Sequence, residues 1–392
     1  MALAVLAYTC LLYYGSLYPF AHWRHPAYPL MQFLPLWPDH LDKGDVLQNV
    51  LVYAPFGLLC TLWLAWSMPA LRAAALAVAL GALVSFSIEC LQQFNPARVA
   101  SSVDIAMNTL GAAGGAMLAT TFVRHTFSGK LVLAWRDRWF RHGALANTGL
   151  VVIGFWMLSQ TSPLVPTMDV GHFRHALAGL LHALQHPQSA DLIRIARYAL
   201  MTTGLGLLLM LLVRPGKPAV LLLAAMLGAV LLAKIIVISR VLSLEAICGV
   251  ALALVACVVL RMLPDRLLAP VGLTMIAAGF AVSELTPGSG GGMRTSFNWI
   301  PFAGHMRSIT ALENILELLW PFMAIAWFVR WNAPASRSML RVVAGALLVG
   351  AAVFAMEWQQ QWMPGRYGDM TQVLLCVAGW TIPWCVRADE TG

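Results

Sequence analysis

Long apolar runs alternate with short polar connections along the whole chain. A helix that crosses the hydrocarbon core of a bilayer needs about 20 mostly apolar residues, and runs of this kind recur twelve times. The predicted spans are residues 2–18, 46–66, 70–91, 103–123, 145–160, 193–213, 219–238, 244–260, 267–285, 309–331, 339–358 and 370–386. The pattern therefore predicts an all-α protein, a polytopic membrane helix bundle with about twelve transmembrane helices.

Composition agrees with a chain whose solvent is lipid. Of 392 residues, 60% are hydrophobic and 11% are charged, a balance that a water-soluble domain of this length would find hard to cover with polar surface. The first span lacks a basic leader and a small-residue cleavage site, so we expect a retained helix and not a signal peptide. All seven cysteines fall within or at the ends of apolar spans, where thiols pack as small side chains. We expect no disulfide, no metal site and no cofactor.

The formal charge of +8 is spread over many short connections and forms no single basic stripe, which argues against nucleic-acid binding. The distribution instead indicates membrane orientation, because Lys and Arg are enriched in cytoplasmic loops. One connection, between the fourth and fifth spans, holds five basic residues within Arg124–Arg141. We therefore predict that both termini are cytoplasmic and that the acid-rich odd-numbered connections lie outside.

An internal repeat is visible in the polar residues. The pattern Glu-x-x-x-Gln-x-x-Pro-x-Arg begins at Glu89 and recurs at Glu357. Upstream, Asn49 precedes a Pro-Phe-Gly segment, and Asn314 precedes Pro-Phe in the same order. Residues 145–262 keep the rhythm of helices and loops without this polar signature. We divide the chain into three four-helix units, with residues 1–130 and 266–392 as recognisable copies and residues 131–265 as a degenerate copy.

The first copy predicts a polar pocket at the outer ends of its helices. Residues four apart share a helix face, so Glu89 and Gln93 project together, as do Asp104 and Asn108. Arg98 lies in the short connection between these helices, and Asn49 adds a polar side chain at a similar depth. This set either binds a ligand or forms a structural clamp between helices, since ionisable groups near the bilayer need partners.

The third copy predicts a second candidate site. Its members are Glu357, Gln361, Arg366, Asp369 and Asn314. The spacing changes after Arg366, because the aspartate follows three residues on instead of six, and Gln372 is a candidate substitute for the missing asparagine. In the middle unit, Lys234 and Glu245 lie on consecutive spans, and we expect them to pair. His22, His25 and His40, with the aspartates near them in the first outer loop, match no metal-ligand motif and are interpreted as solvated.

The series Glu89, Gln93, Arg98, Asp104 and Asn108, together with Asn49 and its Pro-Phe-Gly segment, resembles the pattern of the VanZ-like family. The resemblance covers residues 30–120 well and 297–380 partly. The best known member of that family is associated with low-level resistance to the glycopeptide teicoplanin. The resemblance therefore implies a multi-pass protein of the bacterial cytoplasmic membrane that acts in the cell envelope, and it implies no particular reaction.

Three functions are compatible with the sequence. The first is a VanZ-like envelope protein whose outward pocket binds an amphiphile, either a lipid-linked glycan, a lipid headgroup or a lipoglycopeptide. The second is a secondary transporter or flippase, although three parallel copies lack the inverted repeats that often underlie alternating access. The third is a membrane enzyme acting on a lipid-linked substrate with Glu89 or Asp104 as general base. No nucleophile or metal constellation is recognisable, so we name no catalytic residue.

Overall fold

The structure is a computed structural model. It describes residues 1–18, 20, 23–26, 28–36, 43–123, 126–164, 166–167, 169–288, 295–302, 311–332 and 339–386. Over these residues the protein is all-α, with fourteen α-helices, one 3-10 turn and no β-strand. Two compact units are formed, one by the described residues of Met1–Arg138 and the other by those from Trp139 onward.

A helix occupies each of the twelve predicted spans. The first unit contains α1 (Ala2–Leu17), α2 (Lys43–Leu64), α3 (Ala70–Gln92) and α4 (Ser102–Thr120), and α5 (Phe127–Trp139) follows. The second unit contains α6 (Ala144–Thr161), α7 (Val170–Gln185), the 3-10 turn Pro187–Ser189, α8 (Leu192–Leu212), α9 (Ala219–Ile236), α10 (Leu244–Leu260), α11 (Asp265–Glu284), α12 (Ala311–Asn332), α13 (Met339–Gln360) and α14 (Met370–Cys385). The sequence pattern did not predict α5 and α7, which lie in its polar connections.

Many of these helices suit a lipid environment. Among the described residues, seven helices are long and apolar enough to cross a membrane, and α1, α10 and α14 are shorter apolar helices. The apolar side chains point outward as well as inward. For example, Leu347 and Leu348 on α13 are 69% and 72% exposed. Such surfaces are stable in lipid and unstable in water, so the protein is a membrane helix bundle.

In the first unit, α2 and α4 pack backbone to backbone. A Cβ atom added to Gly111 or Gly115 of α4 would lie 2.3 Å from the Val50 carbonyl oxygen or 1.8 Å from that of Ala54. A Cβ on Gly57 of α2 would lie 2.0 Å from the Ala112 oxygen. Small residues are therefore required here, as in many membrane helix pairs.

In the second unit, α8 and α12 are the central helices. The side chains of Leu205, Leu207 and Leu208 on α8 are fully buried, where α8 packs against α10 and α11. On α12, Trp327 is also fully buried and donates a hydrogen bond from Nε1 to the Leu145 carbonyl oxygen at 2.7 Å, which joins α12 to the start of α6. This arrangement places the ends of α6, α9 and α11 near the beginnings of α8 and α12.

Candidate functional site

Glu89 connects the end of α3 to the beginning of α4. Its side chain is 2% exposed, and its Oε2 accepts a hydrogen bond from the Ser101 backbone N–H at 2.8 Å. Ser101 is the N-cap of α4 and accepts from the Asp104 N–H through its hydroxyl at 3.4 Å. A carboxylate that binds a free amide at a helix N-terminus is favoured by the helix dipole. Glu89 therefore fixes the α3–α4 connection.

Arg98 binds the end of α1. Its Nε donates to the Tyr18 carbonyl oxygen at 2.9 Å, and its Nη2 donates to the Gly15 oxygen at 3.0 Å. It also interacts electrostatically with Glu89. The last carbonyls of a helix have no partners within the helix, and a guanidinium can satisfy two of them with one planar group. Arg98 is therefore a C-terminal cap for α1.

The other predicted residues of this cluster are also bound to protein. Asp104 interacts with the Asn49 side chain of α2, and Asn108 donates from Nδ2 to the Ser85 hydroxyl of α3 at 2.9 Å. Gln93 accepts from the Met31 backbone N–H at 2.9 Å through its Oε1. Together the six predicted residues connect the four helices α1, α2, α3 and α4 at one end of the unit, as a structural clamp would. Ligand binding at this cluster stays a prediction.

The predicted second site repeats the contact between Glu89 and the Ser101 backbone amide. Glu357 is fully buried, and its Oε2 accepts from the Asp369 backbone N–H at 2.9 Å. Both glutamates thus bind the amide of a residue twelve positions later. Asp369 is the N-cap of α14 and accepts from the Thr371 N–H at 2.7 Å. Asp369 consequently has the place of Ser101 and not that of Asp104, which explains its changed spacing from the arginine.

Arg366 makes the same pair of contacts as Arg98. Its Nε donates to the Thr286 carbonyl oxygen at 3.1 Å, and its Nη2 donates to the Ser283 oxygen at 2.5 Å, both at the end of α11. Its Nη1 lies 3.7 Å from Glu284 Oε2. Gln361 lies apart from this cluster and faces a separate groove beside Trp358.

The middle of the chain holds a third such arginine, which the sequence analysis missed. Arg240 donates from Nε to the Ser162 oxygen at 2.6 Å and from Nη2 to the Ser159 oxygen at 3.1 Å, at the end of α6. Its Nη1 forms an ion pair with Glu313 at 2.6 Å. The signal was present, because Arg240-Val-Leu-Ser matches the Arg-Val-Ala-Ser that begins at Arg98.

A charged cavity of about 530 Å³ lies at this end of the second unit. Arg366, Asp369 and Asn314 from the predicted second site line it, whereas Glu357 and Gln361 do not. Its charged lining consists of Arg197, Lys234, Arg240, Arg366, Glu284, Glu313, Glu317 and Asp369. Basic and acidic groups are equal in number, so the lining is suited to a ligand that presents both kinds of polar group.

The expected pair of Lys234 and Glu245 is wrong. Glu245, near the start of α10, accepts from the Asp191 backbone N–H at 3.4 Å. Lys234 lines the cavity and interacts electrostatically with Glu313 and Glu317. The two residues are on consecutive helices, but they point to different places.

Several positions named from the sequence lie outside the described residues. They are His22, Asp39, His40, Asp42 and Arg124. Within the described part of the first loop, His25 is exposed, and its ring lies 6.1 Å from that of Phe94 between centroids.

Comparison with known proteins identifies the first unit. Residues 4–123 match the model of the VanZ/LLP1 family. This N-terminal segment is thus similar to the VanZ/LLP1 family, and the match covers less than half of the chain. The matched segment contains the whole first cluster, from Asn49 to Asn108. The VanZ/LLP1 match does not extend to residues 297–380, where the resemblance stays a prediction. No curated protein and no solved structure matches the chain.

Proposed function

We propose that this VanZ-like protein resides in the bacterial cytoplasmic membrane and binds an amphiphilic envelope molecule by its polar head. The cavity of the second unit is the observation that carries the proposal. Its volume of about 530 Å³ is large enough for a headgroup or a small sugar, and its charged residues lie beside apolar ones such as Leu227 and Val230. A ligand with a polar head and an apolar tail matches such a lining. Suitable classes are a lipid headgroup, a lipid-linked glycan and a lipoglycopeptide.

In this proposal the first cluster has a structural role and does not bind the ligand. Its glutamate, arginine and asparagine are engaged with backbone groups and neighbouring side chains, so we assign it the structural clamp. The second cluster combines the same kind of clamp with a cavity. We therefore place the ligand in the second unit, where Arg366, Asp369 and Asn314 of the predicted second site line the cavity.

The proposed orientation sets which leaflet supplies the ligand. The connections that hold Arg98, Arg240 and Arg366 are odd-numbered, and the basic residues near α5 lie in an even-numbered one. With both termini in the cytoplasm, the cavity opens toward the outer side of the membrane. The ligand then comes from the outer leaflet or from the envelope beyond it.

Photochemical crosslinking in living cells tests this proposal. Tyr367 lines the cavity and is 55% exposed, so a benzophenone amino acid placed there can react with an occupant. The matched control is Met262, which is 83% exposed. It lies just after the C-terminal end of α10, whereas the N-terminal end of that helix lines the cavity. After irradiation, mass spectrometry of the intact protein should detect adducts of polar-headed amphiphiles at position 367, enriched over their share of total lipid. Identical adducts at both positions, in the proportions of bulk lipid, would contradict the proposal.

A further inference from the structure

Most charged groups of the cavity are already bound to other protein groups. Arg240 pairs with Glu313, and Arg366 lies 3.7 Å from Glu284 while both of its other contacts are to carbonyls. Asp369 caps α14. These residues form the wall of the cavity, and their partners leave them little capacity to bind a guest.

Lys234 differs from them. It is 7% exposed, it lines the cavity, and no hydrogen bond or ion pair joins it to another residue in the described part of the chain. A buried ammonium without a direct partner is costly, and such groups in membrane segments usually serve a ligand or an ion.

The position of Lys234 strengthens this point. It lies six residues before Arg240, as Gln92 lies six before Arg98 and Gln360 six before Arg366. Gln92 donates to the Ser16 carbonyl oxygen at 2.9 Å, and Gln360 donates to that of Glu284 at 3.2 Å. At positions 92 and 360 the side chain therefore satisfies a carbonyl at the C-terminal end of α1 or α11. In the middle of the chain the side chain is a cation that lines the cavity.

Glu317 of α12 is the complementary group. It lines the same cavity and its side chain remains accessible there. Its one hydrogen bond within the described residues is a long one of 3.5 Å from Gln160 Nε2. Lys234 and Glu317 interact electrostatically, yet they do not approach within the 4.0 Å of an ion pair. Opposite charges that are held apart across a cavity can be bridged by a guest with matching groups.

We propose that Lys234 and Glu317 together bind a phosphodiester headgroup, with the ammonium of Lys234 on the phosphate and the carboxylate of Glu317 accepting from a hydroxyl or ammonium of the same headgroup. This assignment rests on the proposed function and names the chemistry of its ligand. Phosphate gives Lys234 a full counter-charge, and a nearby donor gives Glu317 a hydrogen bond. Gln160 is placed to bind further headgroup oxygens.

Binding of short-chain lipids to the full-length protein in detergent tests the assignment. The probes are dioctanoyl phosphatidylglycerol, dioctanoyl phosphatidylmethanol, which lacks the hydroxyl donors, dioctanoylglycerol, which lacks the phosphate, and inorganic phosphate. The variants are Lys234→Met and Glu317→Met. Lys217→Met is the matched control. Lys217 lies just before the N-terminal end of α9, whereas Lys234 lies in the last turn of this helix, and the Lys217 ammonium lies over the Trp139 ring.

Lys234→Met should weaken both phospholipids about tenfold, the factor for one charge-assisted hydrogen bond, and should leave dioctanoylglycerol unchanged. Glu317→Met, which removes the accepting oxygens, should weaken the binding of phosphatidylglycerol and leave that of phosphatidylmethanol unchanged. Lys217→Met should behave as wild type. Removing a buried charge that has no direct partner should also leave thermal stability unchanged or raised, whereas a structural lysine would lower it.

The outcomes separate the two proposals. If wild-type protein binds the lipids and Lys234→Met binds them equally well, the headgroup assignment is wrong and amphiphile binding stands. If wild-type protein binds no probe, the headgroup assignment is wrong, and the crosslinking at position 367 decides whether the cavity binds another amphiphile. If inorganic phosphate competes as strongly as the lipids bind, the site takes free phosphate and the lipid assignment is wrong.

Discussion

Three arginines bind the last carbonyls of three helices with the same two atoms. In each case Nε contacts the carbonyl three residues after the one that Nη2 contacts, and an N-cap residue follows three positions after the arginine. The N-caps are Ser101, Ser243 and Asp369. One short connection thus closes the end of one helix and starts another, which makes these connections sensitive to substitution.

We predict that Arg98→Gln, Arg240→Gln and Arg366→Gln each lower the stability of the folded protein by about 2 kcal/mol, because each change removes charge-assisted hydrogen bonds to carbonyls. The measurement is thermal unfolding of purified protein, followed by tryptophan fluorescence. Arg72→Gln is the control, since Arg72 is exposed near the start of α3 and a change there should stay within about 0.5 kcal/mol. Equal effects at Arg72 and Arg98 would contradict the capping role.

The buried Glu89 gives a second prediction at this scale. Glu89→Gln keeps an oxygen that can accept from the Ser101 N–H, so its stability should stay near wild type. Glu89→Ala leaves that buried amide without its partner and should cost about 2 kcal/mol or more. Thermal unfolding of the two variants, with Glu357→Gln and Glu357→Ala as the equivalent pair, measures the difference. If Glu89→Gln lowers the stability as much as Glu89→Ala does, the negative charge of Glu89 is required. The clamp then depends on the electrostatic interaction between Glu89 and Arg98.

At the level of helices, the sequence predicted the strongly apolar elements well. All twelve spans are helical, and their ends agree within a few residues, because a run of about 20 apolar residues has few alternatives to a membrane helix. It did not predict α5 and α7, which are amphipathic and lie in segments that look polar overall. It also failed at the Lys234 and Glu245 pair, since chain neighbourhood does not determine which way two side chains point. The cavity combines residues from seven helices, so no local pattern could reveal it.

The recurrent arginine contacts support our proposal that the chain consists of three four-helix units. Arg98 and Arg366 each donate to the carbonyl oxygens of the residues 80 and 83 positions earlier in the chain. Arg240 donates to those of the residues 78 and 81 positions earlier. We predict that α1–α4, the set α6 with α8–α10, and α11–α14 superpose in an experimental structure, with α7 as an insertion in the middle unit. An experimental structure in which α3, α9 and α13 take unrelated positions within their units would end the repeat hypothesis.

For the whole molecule, the family match and the cavity fall in different parts of the chain. The VanZ-like segment ends at residue 123, and the cavity is formed only by residues after Trp139. Both the cavity and the first cluster nevertheless use helix ends that belong to odd-numbered connections. The side of the membrane on which those connections lie therefore decides where any ligand comes from.

Our last prediction is this topology, with the odd-numbered connections outside. Single cysteines are placed in a background without native cysteine, at Val99 and Tyr367 in odd connections and at Lys130 and Met262 in even ones, all of which are exposed. In intact cells an impermeant maleimide should label positions 99 and 367, while 130 and 262 should react only after the membrane is permeabilised. Labelling of 130 and 262 alone would invert the orientation and make the cavity open to the cytoplasm. Labelling of 99 without 367 would mean that the number of crossings between them is odd, which would contradict the twelve-span bundle itself.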